Sequence, residues 1–272
     1  MTANIRASML PAYFDCARRA AAKQYRKEIE AAGFVLRETF PSVGATFGTA
    51  SHAAGEFLLR HKAQNYSDAS EAQALEIAMQ NFTEETAEGV EWDDTTPNQN
   101  TATFQLRRVV SAIAAFSQRV MPKAVEMELR ADAGDGFELT GKLDLLTVDE
   151  VVRDLKTGAL HRPYQSQLGA YSLLARSSGE KVKAVAIDWI ARTPKTKPQP
   201  PVQTESYPLE ACEQAAFATV SRIKQDVIKF RSSGDPWAFP ANPMTMMCGA
   251  RFCPAHGTAF CNMHLKSNKE PK

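Results

Sequence analysis

The chain has 272 residues, of which 44% are apolar and 23% are charged, so it is long enough and apolar enough to bury a core. This composition excludes an intrinsically disordered protein, and no stretch approaches the ~20 apolar residues of a membrane helix. The net charge of +1 excludes a global basic field, so any nucleic-acid-binding surface must come from local clusters of Lys and Arg.

The N-terminal region is predicted to be helical, and its composition bears on the location of the protein. The first ten residues lack the apolar core of a signal peptide, so we expect a cytoplasmic protein that has no membrane partner. Residues 8–26 predict one helix or two short ones, and they contain Cys16 followed by two arginines. A lone helical cysteine such as Cys16 is more often a small core residue than a ligand. Residues 34–47 then read as a loop, because glycines and a proline interrupt them.

A second helix is predicted from residue 48 to about residue 65, and it carries His52. Glu56 follows one turn later and is expected to lie beside this histidine. Amphipathic patterns predict two more helices, at residues 69–88 and 101–121, with a polar loop between them. Nothing in these two helices indicates a chemistry, so we interpret them as scaffold.

The first strands of a sheet are predicted after these helices. Residues 124–130 alternate between apolar and polar side chains, and Glu126 and Glu128 fall on one face of this strand. A glycine-rich turn at residues 134–136 leads into a second strand that ends at about Leu146.

A hairpin with acidic residues in both strands follows. Its apolar runs, at residues 143–148 and 151–155, contain Asp144 and Asp154 respectively, and Lys156 follows the second run. Because side chains alternate along a strand, Asp154 and Lys156 lie on one face. Two close carboxylates repel each other unless a cation lies between them or one stays protonated. Oxygen ligands suit Mg²⁺ or Mn²⁺, and such a metal stabilises a phosphoryl transition state.

The position of Asp144 depends on the length of the hairpin loop. A three-residue loop at 148–150 places Asp144 opposite Asp154, whereas a two-residue loop at Asp149 and Glu150 turns it to the other face. We predict the three-residue loop, and with it a shared site for the two carboxylates.

The segment after the hairpin predicts a helix, a strand and a second long helix. Residues 162–176 have helical spacing and place Gln167 and Tyr171 on one face. Residues 182–190 predict a strand, and the basic, proline-broken loop after it can contact a phosphate backbone. Residues 209–231 predict a helix in which Cys212 is a packing residue.

The last forty residues have little regular pattern and contain three of the five cysteines, Cys248, Cys253 and Cys261. An odd number of cysteines without a secretion signal argues against disulfides. An irregular segment of this length rarely becomes ordered without a cross-link, so the three thiolates indicate a metal. A local zinc site completed by His256 or His264, and free cysteines, are the alternatives.

Three motifs in the middle of the chain resemble those of the PD-(D/E)XK nuclease superfamily, in its RecB-like branch. They are G-x-x-D at residues 141–144, D-x-K-T-G at residues 154–158 and Q-x-x-x-Y at residues 167–171. The resemblance implies an α/β fold with a restriction-endonuclease-like core, in which helices flank a mixed central sheet. A single domain is expected, with a helical insert at about residues 53–122, a nuclease core at about 123–232 and a cysteine-rich segment at 233–272.

The resemblance also implies roles for particular residues. The metal ligands would be His52, Asp144, Asp154 and the Leu155 backbone carbonyl, and they would bind Mg²⁺ or Mn²⁺. Lys156 would orient the attacking water and stabilise negative charge, while Gln167 and Tyr171 would position the strand or the lysine. Glu128 is an auxiliary candidate, because the family commonly has a glutamate in this strand.

The cysteines resemble those of the CRISPR-associated RecB-like nucleases and AddB-type nucleases, which hold an iron–sulfur cluster. One ligand precedes the nuclease core and three follow it, so the resemblance implies a [4Fe–4S] cluster on Cys16, Cys248, Cys253 and Cys261. Zn²⁺ uses the same ligand type and is the alternative. The spacing departs from the family, in which the first C-terminal pair is usually two residues apart.

These features together predict a metal-dependent DNA nuclease, an exonuclease acting on DNA ends or single strands. The resemblance implies a role in recombination, repair, phage replication or CRISPR adaptation, with a recombination, helicase or CRISPR-adaptation protein as partner. The alternatives are a catalytically silent DNA-end-binding or complex-assembly factor and a zinc-binding interaction protein. The sequence has no GxxxxGK[ST] motif, so an ATP-driven motor is not expected in this chain.

Overall fold

A six-stranded mixed sheet forms the centre of the protein in a computed structural model, which describes residues 3–159 and 162–263. Its strands are β1 (Ala3–Arg6), β2 (Pro122–Gly134), β3 (Phe137–Thr147), β4 (Val151–Gly158), β5 (Ala184–Ala191) and β6 (Gln203–Tyr207). Hydrogen-bonded neighbours follow the order β1-β3-β4-β5-β6. Strand β2 lies off this path and also pairs with β3. The pairs β1–β3 and β4–β5 are parallel and the others antiparallel, which confirms the predicted mixed sheet.

Helices cover both faces of this sheet. They are α1 (Leu10–Asp15), α2 (Ala17–Gln24), α3 (Arg26–Ala31), α4 (Val43–Asn65), α5 (Glu71–Thr86), α6 (Gln99–Ser117), α7 (Gln165–Ser177) and α8 (Leu209–Ser233). One apolar core lies under α4, α5 and α6, and a larger one lies under α1, α2, α3, α7 and α8. Because the two cores share one sheet, we propose that residues 3–263 fold as one domain. Among the described helices, none is long and apolar enough to cross a membrane.

The N-terminal region differs most from the sequence-based expectation. A strand, β1, precedes the helices, whereas residues 8–26 form the two short helices α1 and α2, which is the second of the two predicted alternatives. Cys16 is extended, with φ −159° and ψ 105°, and therefore separates α1 from α2. The edge strand β6 was not predicted either, because its residues are almost all exposed and show no apolar alternation.

Two helix starts also differ from the prediction. Helix α4 begins at Val43 and not at residue 48, because Ser42 caps it by accepting a hydrogen bond from the Ala45 N–H over 3.3 Å. Helix α7 begins at Gln165, three residues later than predicted. The last segment is largely irregular up to residue 263, apart from one turn of 3₁₀ helix at Pro236–Ala238, as its sequence indicates.

Candidate active site

The β3–β4 hairpin has the predicted three-residue loop. Leu145 lies opposite Arg153, and the same register places Asp144 opposite Asp154. Glu150, the last residue of the loop, has a φ of 68°, the left-handed conformation that commonly closes a three-residue hairpin loop. The register prediction is therefore confirmed, and the two aspartates are neighbours on adjacent strands.

Helix α4 brings His52 to this hairpin by passing very close to β4. A Cβ atom on Gly55 would lie 3.1 Å from the Leu155 side chain, and one on Gly48 would lie 3.5 Å from Thr157 Oγ1. Small residues at these positions let the helix approach the strand, and His52 lies between them on the helix. Its Nδ1 atom is 3.4 Å from Asp144 Oδ2.

A group of three potential metal ligands lies where α4 crosses β2 and β3. It consists of His52, Glu126 and Asp144, each of which offers a ligand atom within 4.8 Å of the other two. Such a set of imidazole nitrogen and carboxylate oxygens fits Mg²⁺ or Mn²⁺. Asp154 does not belong to this group among the described residues, so the predicted ligand set is brought together only in part.

Glu126, and not Glu128, is the glutamate that this strand brings to the site. Glu126 has a φ of 52°, which turns its side chain out of the regular alternation of β2. Glu128 is exposed and lies opposite Lys142 in the backbone register of β2 and β3, whereas the Lys142 ammonium lies 2.7 Å from Glu126. Glu126, and not the predicted Glu128, is therefore within reach of His52 and Asp144. A left-handed glutamate costs about 1–3 kcal/mol, a strain that clusters at functional sites.

Asp154 is the centre of a second set of contacts. Its Oδ2 atom lies 2.7 Å from the Lys156 ammonium, and the Gln167 Nε2 atom donates to its Oδ1 over 3.4 Å. The same amide nitrogen donates to the Tyr171 hydroxyl over 3.0 Å. The ammonium also lies 5.2 Å from the centre of the Tyr164 ring. These contacts join four of the five residues predicted to be catalytic, and the fifth, Asp144, lies opposite Asp154 on β3.

Backbone and electrostatic contacts join the two sets. The Leu155 N–H donates to Asp144 Oδ2 over 2.8 Å, which fixes the Asp144 carboxylate beside β4. Burial is the largest effect on Asp154, and although Lys156 opposes it, the pKa of Asp154 is raised to about 6. Burial disfavours charge on His52, but the Asp144 carboxylate outweighs it and raises the pKa of His52 to about 9. The carboxylates of Glu126, Asp144 and Asp154 therefore lie in one partly buried site, an arrangement that suits a cation.

Two glycines of the quoted motifs determine where α7 lies. A Cβ atom on Gly141 would be 2.8 Å from Tyr171 Cε1, so only glycine leaves room for the tyrosine ring. A Cβ atom on Gly169 would be 1.9 Å from the Cys212 carbonyl oxygen, so α7 and α8 touch backbone to backbone. Both glycines thereby allow α7, which carries Gln167 and Tyr171, to pack closely against β3 and α8.

The four cysteines predicted as cluster ligands line one small cavity. Cys16 comes from the junction of α1 and α2, and Cys248, Cys253 and Cys261 come from the C-terminal segment. Among the described residues none of the four forms a disulfide bond, and the Asn242 N–H points to Cys16 Sγ over 3.4 Å. Four thiol groups around one cavity fit a [4Fe–4S] cluster or Zn²⁺.

The other residues named as alternatives lie in different places. His256 also lines the cavity, whereas His264 lies outside the described residues. Cys212 is fully buried in the interface between α7 and α8, consistent with a packing residue.

Comparison with known proteins gives one family. The profile described as PD-(D/E)XK nuclease superfamily matches residues 6–258. A structure titled "Putative exonuclease" from Eubacterium rectale is similar at a TM-score of 0.42 and 14% identity, over 69% of this chain and 81% of that chain. A structure of LHK-Exo in complex with dAMP is similar at 0.30 and 12%, over 68% and 91%. No curated protein matches.

Proposed function

The chain belongs to the PD-(D/E)XK nuclease superfamily, and from this we propose that it is a metal-dependent deoxyribonuclease, an exonuclease acting on DNA ends or single strands. The observation that carries the proposal is the convergence of His52, Glu126 and Asp144 beside the Asp154–Lys156 pair. A strained backbone, a buried ion pair and close carboxylates in one place are a costly combination that catalysis explains.

We assign the metal to His52, Glu126 and Asp144, with Asp154 and the Leu155 carbonyl as further ligands from the adjacent strand. A bound divalent cation would supply Lewis-acid stabilisation of the phosphodiester and a more acidic water. The Lys156 ammonium, held 2.7 Å from Asp154, would stabilise negative charge on the phosphate oxygens.

Gln167 orients this ion pair. Its amide donates to Asp154 and to the Tyr171 hydroxyl, so the carboxylate is held by a side chain that is not one of the proposed metal ligands. We propose that Gln167 and Tyr171 act by positioning Asp154 and Lys156, and not by contact with the reacting atoms.

Removal of the metal tests this proposal. With Mg²⁺ or Mn²⁺, the purified protein should release nucleotides from end-labelled single-stranded DNA, and a chelator should lower the rate by more than about 100-fold, because a metal supplies several kcal/mol of charge stabilisation. Circular single-stranded DNA is the matched substrate, since an exonuclease leaves it intact. Cleavage that persists in excess chelator would contradict the metal assignment.

We also propose that Cys16, Cys248, Cys253 and Cys261 hold a [4Fe–4S] cluster with a structural role. The support is that all four line one cavity and come from both ends of the chain. Hydrolysis requires no electron transfer, so the cluster would serve to fix the C-terminal segment on α1 and α2.

The variant Cys16→Ala should lose its iron and visible absorbance after anaerobic purification and should unfold at a lower temperature, because one of four ligands is missing. The variant Cys212→Ala is the matched control and should keep its iron, since Cys212 lies in the α7–α8 interface. Iron, sulfide and zinc analysis measures the outcome. A different result would indicate a local zinc site with His256 or His264. In that case the wild-type protein is colourless and contains stoichiometric zinc, and Cys16→Ala keeps this zinc.

A further inference from the structure

Two basic side chains lie against one exposed aromatic ring on the α6 side of the sheet, and two more lie within two residues of them along the chain. Arg107 and Arg108 belong to α6, and Lys195 and Lys197 belong to the loop that follows β5. The Arg108 guanidinium lies 5.3 Å from the centre of the Phe104 ring, and the Lys195 ammonium lies 5.7 Å from it. We call these five residues the Phe104 patch.

The charges of the Phe104 patch have no carboxylate partner. Within residues 3–159 and 162–263, none of its four cations forms an ion pair with an Asp or Glu side chain. Phe104, Arg107, Lys195 and Lys197 are exposed, and Arg108 is half-buried. Like charges placed together repel, and a chain with a net charge of only +1 has no general excess of cations. A cluster of four is therefore suited to a polyanion.

The loop of the Phe104 patch is held in place against α6. The Gln105 amide donates to the Thr193 carbonyl over 2.8 Å, and Arg108 donates to the Lys197 carbonyl. A cation–π contact at an exposed site typically contributes about 0.5–1 kcal/mol. The contacts with Phe104 thereby restrict the orientation of the Arg108 and Lys195 side chains. The patch is thus built by two separate segments and is not a single flexible loop.

The Phe104 patch lies beyond the carboxyl ends of β4 and β5. Lys156 of the active site pairs with Trp189 across these strands, and the Arg192 N–H donates to the Gly158 carbonyl over 2.8 Å. Lys195 is six residues after Trp189, so the Cα atoms of Lys195 and Trp189 lie at most about 20 Å apart. A nucleic-acid strand bound at the active site can span this distance with a few nucleotides.

We propose that the Phe104 patch binds the phosphates of single-stranded DNA at a distance from the phosphodiester that is cut. The proposal rests on the proposed nuclease function for its choice of ligand. Base stacking on Phe104 is not part of it, because the two cations occupy the ring. The patch supplies sequence-independent affinity, and its contribution falls as salt rises.

The test uses the triple variant Arg108→Gln, Lys195→Gln, Lys197→Gln. Its matched control is the triple variant Lys27→Gln, Lys181→Gln, Lys229→Gln, which removes three exposed lysines elsewhere. Binding of single-stranded DNA of about 16 nucleotides is measured by fluorescence anisotropy at several salt concentrations, with chelator present to prevent cleavage. Hydrolysis of a dinucleotide, which is too short to reach the patch, reports on the active site.

The patch variant should bind the long strand at least about 10-fold more weakly, and its salt slope should fall by about 2, or about 0.7 per cation. Dinucleotide hydrolysis and the control variant should not change. An unchanged salt slope, or an equal loss on the dinucleotide, would overturn the proposal. Wild-type protein that binds DNA through the patch but cleaves no substrate would overturn the nuclease function alone.

A second observation concerns Arg19, which lines the cavity of the four cysteines. Its side chain is only 6% exposed, and one end of its guanidinium lies 2.6 Å from Asp15 Oδ2. Its Nε atom is buried without a hydrogen-bond acceptor among the described residues. Buried donors are nearly always paired, so this one requires an acceptor.

We infer that Arg19 provides positive charge and an N–H donor to the iron–sulfur cluster proposed for this cavity. Four thiolates make the cluster anionic, and reduction adds another negative charge. A buried cation beside it therefore favours the reduced form and raises the reduction potential. Arg19 is a positioning and tuning residue in this view, and not a ligand.

The test compares Arg19→Gln with Arg19→Lys, with Arg26→Gln as the control on a half-buried arginine that pairs with Glu30 and Glu38. Iron content and the reduction potential are measured by an anaerobic titration followed by electron paramagnetic resonance. Arg19→Gln should shift the potential to more negative values, Arg19→Lys should keep most of it, and Arg26→Gln should not change it.

The variant Asp15→Asn covers the case in which Arg19→Gln does not fold. It leaves the guanidinium in place and removes the carboxylate that neutralises it, so the potential should move to less negative values. The Arg19 inference would be overturned if the reduction potential were the same in the wild type and in the folded variants at positions 15 and 19. That result would not affect the cluster proposal. Wild-type protein without iron would overturn the cluster proposal, and the Arg19 inference with it.

Discussion

The variants Asp154→Asn and Lys156→Met are each expected to lower the rate of DNA cleavage by more than about 100-fold, the largest functional effects that we predict. Asp154 holds the Lys156 ammonium at 2.7 Å and faces Asp144 across the hairpin. Removal of the carboxylate takes away a proposed metal ligand and the partner that holds the lysine. Removal of the ammonium takes away the side chain proposed to stabilise the negative charge of the phosphate.

Rates on end-labelled single-stranded DNA measure this effect, with circular dichroism to verify the fold. Lys183→Met is the matched control, because Lys183 is an exposed lysine that pairs with Glu150 at the opposite end of β5. Its rate should equal that of the wild type. Undiminished cleavage by either Asp154→Asn or Lys156→Met would show that the hairpin does not carry the chemistry.

The variant Gly169→Ala is expected to destabilise the protein by more than about 3 kcal/mol, at or beyond the upper end for an overpacked core. Its Cβ atom would lie 1.9 Å from the Cys212 carbonyl oxygen and 2.2 Å from the carbonyl carbon. Backbone atoms cannot rotate away as a flexible side chain does, so α7 and α8 must separate. The separation would expose buried residues along both helices.

Urea or thermal unfolding measures the loss of free energy in Gly169→Ala. Gly249→Ala is the control, since no atom lies within 4 Å of the Cβ position at Gly249 and its φ is not positive. A change below about 0.5 kcal/mol in Gly169→Ala, similar to an ordinary surface substitution, would contradict the close helix contact.

The sequence predicts the hairpin well because loop length fixes register. The turn at residues 148–150 places Asp144 opposite Asp154, and the alternation of β4 then places Lys156 beside Asp154. The spacing of Gln167 and Tyr171 likewise predicts that they share one face of a helix, where the structure shows a hydrogen bond between them. These relations are local, and local geometry follows from residue spacing.

Features that depend on an unusual backbone could not be predicted. Regular alternation treats Glu126 and Glu128 as equivalent, and only the left-handed φ of Glu126 brings it to His52. The extended conformation of Cys16 inside a helical pattern depends on contacts with residues about 226 positions later. The exposed edge strand β6 carries no apolar alternation that would reveal it.

The contact between Cys16 and the C-terminal segment has a consequence for synthesis of the protein on the ribosome. The Asn242 N–H that points to the Cys16 sulfur lies 226 residues further along the chain. At about 5–20 residues per second, this partner emerges roughly 10–45 s after Cys16. During this interval the apolar surfaces of α1 and α2 have no C-terminal segment to cover them. Chaperone binding to the nascent α1–α2 segment is therefore expected to assist folding, and the cysteine cavity can close only after Cys261 has left the ribosome.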